Sequence, residues 1–191
     1  MHETIRCFIA VNLPQELKED LQEYINALKI QVPKVKWVRA QALHITLKFL
    51  GPVPAETLQT VQDKLTGSRR GIESFRMVVS NFGAFPNRRK PRVIWLGLKA
   101  VPQQPLYQLH SQIDALMEPL GFEREKRRFS PHLTLGRVKF PLDMTGLWDY
   151  MTSEPFPEYT FDVSEFALMK STLKPSGAEY ATLQKYSLQT P

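Results

Sequence analysis

The sequence predicts an α+β fold of two pseudo-symmetric lobes, in which antiparallel-rich sheets line a central cleft and the helices lie outside. Three observations lead to this prediction. The tetrapeptide His-x-Thr-x, with apolar residues at both x positions, occurs at 44–47 and again at 132–135. Its two histidines are 132 − 44 = 88 residues apart in a chain of 191 residues. Each half of the chain shows the same predicted order of strand, helix, motif strand, helix and strand, as a duplication would give.

Each element of the first half has a local sequence signal. Residues 5–11 form a short apolar run with β-branched and aromatic members, which predicts a buried strand. Pro14 opens a helix of apolar residues at helical spacing, and Val32-Pro33 ends it. Gly51-Pro52 is expected to close the motif strand. The predicted elements are a strand at 5–11, a helix at 14–32, a short strand at 36–39, the motif strand at 43–50, a helix at 55–65 and a strand at 75–82.

The second half repeats these signals in the same order. The predicted elements are a strand at 93–98, a helix at 102–120, the second motif strand at 129–138, a short helix at 142–150, one long strand at 159–173, a turn at 175–177 and a strand at 178–188. No Gly-rich or Ser-rich linker divides the chain. A single domain over residues 1–191, made of two intertwined lobes, is therefore expected.

Composition limits the classes of partner and compartment. Hydrophobic residues make up 42% and charged residues 23%, as in ordinary globular proteins. The net charge of +6 favours polyanionic partners, although many basic proteins bind no nucleic acid. The one cysteine, Cys7, excludes an internal disulfide and fits a reducing compartment. No signal peptide or membrane-spanning run is recognisable, so a cytoplasmic protein without a membrane partner is expected.

The paired motifs predict two imidazoles that face one cleft. In a strand, His44 and Thr46 lie on one face while Ile45 and Leu47 lie on the other. A lone histidine of this kind is usually a polar residue on a solvated face. The second copy, with His132 and Thr134, favours a functional interpretation. Two such imidazoles can serve as general acid and general base near neutral pH.

Other kinds of catalytic site have no signal in the sequence. There is no HExxH, no cysteine pair, no P-loop, no GxGxxG and no GxSxG, so neither a metal nor a cofactor is expected. Cys7 lies within a predicted buried strand, which is a poor place for a nucleophile. Acid–base catalysis by paired imidazoles remains, and its natural substrate is a phosphodiester. The hydroxyls of Thr46 and Thr134 could donate to the phosphoryl oxygens.

Arg137 is a further candidate because it ends the second motif strand. Its guanidinium could bind a phosphate through two hydrogen bonds, and Gly136 before it leaves room at the strand end. A solvated arginine at a strand end is the alternative. Phe49 stands at the matching position of the first motif, so the two lobes are not equivalent.

Two basic runs, at 88–92 and 124–128, have two interpretations. Charge runs are usually solvated loops. The second run leads directly into the second motif, however, and both could attract a nucleic-acid end. Trp37, Phe85 or Phe129 could then stack on a base.

The ordered motifs resemble those of a known family. RCFIAVNLP, HITLKFLG, PRVIWLG, FSPHLTLGR and MKSTLKPSGAEYATL are similar to segments of the RNA 2′,3′-cyclic phosphodiesterases, also called 2′-5′ RNA ligases, of the 2H phosphoesterase superfamily. The resemblance implies hydrolysis of RNA 2′,3′-cyclic phosphate ends to 2′-phosphates. It implies that His44 is the general acid on the leaving 3′ oxygen and His132 the base, with Thr46, Thr134 and Arg137 holding the phosphate.

Two functions remain open at this stage. The first is the metal-independent phosphodiesterase, which could also run in reverse as an ATP-independent 2′-5′ ligase on RNA ends, tRNA-like fragments among them, without an obligate protein partner. The second is an RNA-binding module that keeps the groove without turnover. Turnover of a nucleoside 2′,3′-cyclic phosphate would distinguish them.

Overall fold

The computed structural model describes residues 3–175 and 177–190. The strands in these ranges are β1 (Thr4–Asn12), β2 (Lys36–Trp37), β3 (His44–Pro54), β4 (Phe75–Phe85), β5 (Val93–Val101), β6 (His132–Arg137), β7 (Tyr159–Val163), β8 (Glu165–Lys174) and β9 (Gly177–Ser187). The α-helices are α1 (Gln15–Gln31), α2 (Ala55–Gly67), α3 (Gln104–Met117) and α4 (Thr145–Ser153), and short 3₁₀ helices occur at Ala40–Ala42 and Glu118–Leu120. None of the helices described is both long and apolar enough to cross a membrane.

The strands form two antiparallel sheets that exchange strands between the halves of the chain. The first sheet has the order β3-β1-β8-β9, and the second has the order β2-β6-β5-β4-β7. In each sheet the motif strand lies beside the strand that begins its half, β3 beside β1 and β6 beside β5. The next strand comes from the other half, because β8 joins β1 and β4 joins β5. This arrangement confirms the expected two-lobed, pseudo-symmetric α+β fold.

One apolar core joins the helices to the packing faces of both sheets. The four apolar residues of the motifs are at most 3% exposed. These residues are Ile45, Leu47, Leu133 and Leu135. Burying a side chain of this size stabilises the fold by about 1.5–3 kcal/mol, which fixes the faces of β3 and β6 and turns the histidine side of each strand outward. Helix α1 adds a buried stripe at helical spacing, namely Leu17, Leu21, Ile25 and Leu28.

Several of the predicted strand boundaries are wrong, and β4 and β5, for example, each extend three residues beyond their predicted ends. The first motif strand does not close at Gly51-Pro52, since β3 continues pairing with β1 as far as Pro54. Gly51 has a φ of 73°, which glycine adopts without strain, and β3 is an edge strand, where prolines are tolerated. The single strand predicted at 159–173 is two strands, because the chain passes from the second sheet to the first at Ser164.

Smaller shifts have local causes. The second motif strand begins at His132 rather than 129, and the last short helix spans residues 145–153 rather than 142–150. Asp143 precedes Met144, the N-cap of α4, and its side chain accepts a hydrogen bond from the Thr145 N–H at 2.9 Å, a turn that leads the chain into the helix. The hairpin of β8 and β9 is formed as predicted. Ser176, in the middle of the predicted turn, lies outside the described residues.

Candidate active site

The two motif strands bring all five predicted site residues to one cleft. A cavity of about 450 Å³ lies between the two sheets. The residues predicted from the motifs that line it are His44, Thr46, His132, Thr134 and Arg137. The structure therefore joins two sequence-distant tetrapeptides in one place, because β3 and β6 each turn an apolar face to the common core.

A β-bulge after each motif threonine decides what else reaches the cleft. In β3 the pairing register skips Leu47, and in β6 it skips Leu135. One skipped residue reverses the alternation of the side chains that follow. Phe49 and Arg137 therefore line the cleft, although strict alternation from the histidines would have placed both on the packing face.

The two histidines are held by equivalent hydrogen bonds. Nδ1 of His44 lies 2.9 Å from the carbonyl oxygen of Ala42, and Nδ1 of His132 lies 2.7 Å from the carbonyl oxygen of Ser130. A carbonyl oxygen only accepts, so Nδ1 carries the hydrogen in both rings. Nε2 is then the atom of each imidazole that can take up or release a proton.

His44 lies in an aromatic surround that disfavours its charged form. Its ring centroid is 4.5 Å from that of Phe8 and 5.1 Å from that of Tyr180, whose ring is nearly perpendicular to the imidazole. Burial lowers the pKa of His44 to about 4, the Ala42 carbonyl opposes this, and Lys18 lowers the pKa further. In the unliganded chain, His44 is therefore neutral at pH 7.

His132 has different neighbours from His44. Its ring meets the ring of Phe85 nearly edge-on, with the centroids 5.1 Å apart. The residue five positions beyond each histidine also differs, because Phe49 is 66% exposed at the cleft while Arg137 brings a guanidinium. The cleft is therefore chemically asymmetric, with an aromatic wall near His44 and a cation on the strand of His132.

Four further polar or aromatic residues of the lining are absent from the sequence prediction. They are Arg6, Phe8, Ser171 and Tyr180. The first two have a signal in the sequence, since they alternate along β1, but the apolar run at 5–11 predicts only a buried strand. The other two come from the β8–β9 hairpin, where they pair directly. No local sequence pattern predicts that this hairpin lies at the cleft, because its position depends on long-range pairing with β1.

The three aromatic residues predicted as candidates for base stacking lie in different environments. Phe85 lines the cleft. The ring of Trp37 covers Gly136, where an added Cβ would lie 3.0 Å from it, so the room left by this glycine is filled by packing. Phe129 stacks on His110 with 4.1 Å between the ring centroids. Only the first of the three therefore stands where a ligand in the cleft could stack.

Side chains in the two basic runs also make local contacts. The guanidinium of Arg88 lies 4.4 Å from the centre of the Phe82 ring. In the second run, Arg124 forms an ion pair with Glu118 at 2.9 Å. A role of these runs in nucleic-acid binding stays a prediction.

The donor atoms of the cleft suit an anion. Among the described residues that line it, none has a carboxylate, and two have guanidinium groups. Within residues 3–175 and 177–190, no three His, Cys, Asp or Glu side chains are grouped as metal ligands would be. Cys7 is 1% exposed, and burial raises the pKa of its thiol although Lys170 opposes this. The chemistry of the cleft is that of imidazoles, hydroxyls and guanidinium groups.

Comparisons with known sequences point to one family. The family model of the 2′-5′ RNA ligase superfamily matches residues 15–175. A Methanothermobacter thermautotrophicus protein named RNA 2′,3′-cyclic phosphodiesterase is 33% identical over 185 residues, which cover 96% of this chain and 99% of that protein. A Thermotoga maritima protein with the same name is 33% identical over 180 residues, covering 94% and 93%.

Solved structures agree with the sequence matches. The crystal structure of TT0787 of Thermus thermophilus has a TM-score of 0.79 and 30% identity, and the match covers 97% of this chain and 99% of that one. The crystal structure of E. coli LigT complexed with 3′-AMP has a TM-score of 0.76 and 26% identity, covering 98% and 100%. The resemblance read from the sequence motifs is confirmed at the level of family and fold.

Proposed function

The chain belongs to the 2′-5′ RNA ligase superfamily, and on this premise we propose that it is an RNA 2′,3′-cyclic phosphodiesterase that works with two histidines. The relatives that carry this enzyme name supply the substrate class. One observation carries the mechanism: His44 and His132 line the same cleft, and each holds Nδ1 against the carbonyl two residues before it. Both leave Nε2 free for proton transfer.

The phosphate is held by the remaining polar groups of the cleft. The hydroxyls of Thr46 and Thr134 lie on the same strand faces as the histidines and donate to non-bridging oxygens. Arg137 binds the same oxygens in a charge-assisted contact, and Arg6 adds a second cation. Donors arranged in this way stabilise the charge that builds up on the phosphoryl group in the transition state.

Hydrolysis requires one proton transfer at each imidazole. His132 takes a proton from water through Nε2 as the water oxygen bonds to phosphorus. The bond from phosphorus to the 3′ oxygen breaks, and His44 gives its Nε2 proton to that oxygen. The products are a 2′-phosphomonoester and a 3′-hydroxyl. Exchange with solvent then restores the two imidazoles.

The low pKa of His44 makes its protonation depend on the substrate. The general acid has to carry a proton, yet His44 is neutral at pH 7 in the unliganded chain. A phosphodiester anion beside the ring favours the imidazolium and raises its pKa. Substrate binding therefore takes up a proton, and the ring that receives it is a strong acid toward the leaving oxygen.

The same groups serve the reverse reaction. A 5′-hydroxyl RNA end that attacks the cyclic phosphate forms a 2′-5′ bond, and no ATP is needed because the strained cyclic ester is the activated donor. We place the activity on RNA ends, such as tRNA-like fragments, in the cytoplasm. Residues 1–191 act as one domain of two intertwined lobes and need no obligate protein partner.

The proposal is tested with an oligonucleotide that ends in a 2′,3′-cyclic phosphate. Phosphorus NMR of the product resolves the two phosphate isomers, and the 2′-phosphate is expected. A mainly 3′-phosphate product would mean that the roles of His44 and His132 are exchanged, or that the substrate binds the other way round. Tight binding of the same end without turnover would identify an RNA-binding module instead.

A further inference from the structure

A buried ion pair ties the first motif strand to the helix of the other half. Lys48 of β3 is 7% exposed and Asp114 of α3 is 9% exposed, and the ammonium group is paired with the carboxylate. Burying two charges carries a desolvation cost that is offset only when further hydrogen bonds satisfy both groups. The partners that satisfy these charges therefore show what the pair holds in place.

Those partners belong to the irregular segment 121–131, here called the approach segment, which leads into β6. Lys48 Nζ donates to the carbonyl oxygen of Glu123 at 2.8 Å. Asp114 Oδ1 accepts from the N–H of Glu125 at 3.4 Å. The approach segment is thus fastened near its start by a side chain of the first motif strand.

The other end of the approach segment orients the second histidine. The carbonyl oxygen of Ser130 accepts from His132 Nδ1 at 2.7 Å. Between the two ends, Phe129 stacks on His110 of α3. His44 has a different support, because its acceptor Ala42 belongs to the compact 3₁₀ helix that directly precedes β3.

We propose that Lys48 is a positioning residue for His132. Its ammonium group, held by Asp114, fixes the approach segment through Glu123, so that the Ser130 carbonyl meets Nδ1 of the imidazole. This inference rests on the proposed function, in which His132 is the general base. It assigns to the first motif strand a second task, which is to orient the catalytic group of the other lobe.

A double variant separates positioning from folding. Lys48→Met alone leaves the Asp114 carboxylate buried without its cation, so lost folding could explain lost activity. The double variant Lys48→Met/Asp114→Asn removes both charges at nearly constant volume. It still lacks the hydrogen bond from residue 48 to the Glu123 carbonyl oxygen. We expect it to melt within a few degrees of wild type, with kcat about 10- to 100-fold lower, as small misplacements of catalytic groups cause, and KM little changed. Lys48→Arg should restore most of the activity.

A spectroscopic readout reports on His132 itself. With ¹⁵N-histidine, the hydrogen-bonded Nδ1–H of His132 should exchange faster in the double variant, while that of His44 should not change. Lys185→Met is the matched control, because it removes a lysine that pairs with Glu165 at 2.7 Å on the exposed part of the first sheet. This control should keep wild-type kcat and both resonances.

Three outcomes would overturn the inference. They are wild-type kcat in the double variant, an unchanged His132 resonance, or equal disturbance of His44, which would indicate general loosening. If wild type does not hydrolyse the cyclic phosphate at all, the proposed function fails. The His132 resonance would then still decide whether Lys48 orients that ring.

Discussion

His44 is expected to stay neutral at pH values where an ordinary histidine is charged. Burial against Phe8 and Tyr180 lowers its pKa from 6.5 to about 4. This difference corresponds to about 3.5 kcal/mol, at about 1.4 kcal/mol for each pH unit. It should appear as a pH dependence of folding stability that a single substitution removes.

The direction of the effect follows from where the proton binds. As the pH falls from 6.5 towards 4, the unfolded chain protonates His44 while the folded chain keeps it neutral, so the folded state loses stability. Above pH 6.5 both states are neutral, and the group adds no pH dependence. Compared with His44→Gln, wild type should lose about 2.5 kcal/mol of unfolding free energy between pH 7 and pH 4.5.

Urea unfolding of both proteins at pH 7, 5.5 and 4.5 measures this loss, and the contributions of all other groups cancel in the difference. An NMR titration of the ring protons reports the His44 pKa directly. A midpoint near 6.5, with the same pH dependence in both proteins, would refute the reasoning.

Three further predictions concern the cleft. His44→Ala and His132→Ala should each lower turnover about 10²–10⁴-fold. The circular dichroism spectrum of each variant should stay native, because both rings lie opposite the packing face. Near wild-type turnover in either variant would contradict the two-imidazole mechanism. Arg137→Ala should lower kcat/KM about 10- to 100-fold through the lost charge-assisted hydrogen bond. The control Arg76→Ala should not lower it, because Arg76 is an exposed strand arginine that pairs with Asp162 at 3.3 Å. A fall in melting temperature large enough to account for the lost activity would indicate a structural role for Arg137. Activity should persist in excess EDTA, since the proposed proton transfers use imidazoles alone; a loss that Mg²⁺, Mn²⁺ or Zn²⁺ restores would place the protein in another reaction class.

Periodicity was sufficient for the local elements and for the central pair of motifs. Strict alternation at 44–47 and 132–135 predicts which side chains face the core, and the burial of Ile45 and Leu133 confirms it. The helices follow in the same way from apolar spacing and from prolines near their ends. These features depend on neighbours a few residues apart, which a single sequence contains.

Register and strand order depend on distant partners, and here the sequence was insufficient. Alternation places Lys48 on the face of His44, but the bulge at Leu47 turns it inward to Asp114, 66 residues away. The break at Ser164 did leave a trace. The residues of the main apolar core change from Phe161 and Val163 to Phe166 and Leu168 beyond it, while Ala167 and Met169 are buried in a second cluster. This is a shift of one residue in the alternation that one continuous strand would not show.

The exchange of strands between the halves has a consequence for the order of folding during synthesis. The second sheet needs no residue beyond Val163, so it can form while later residues are still being added. In the first sheet, β1 is central, and one of its edges stays unpaired until β8, at 165–174, has been synthesised. Until then the nascent chain exposes an unpaired strand edge of the kind that promotes aggregation. The β8–β9 hairpin therefore completes the first sheet by pairing with this edge. The same pairing completes the wall of the cleft around His44.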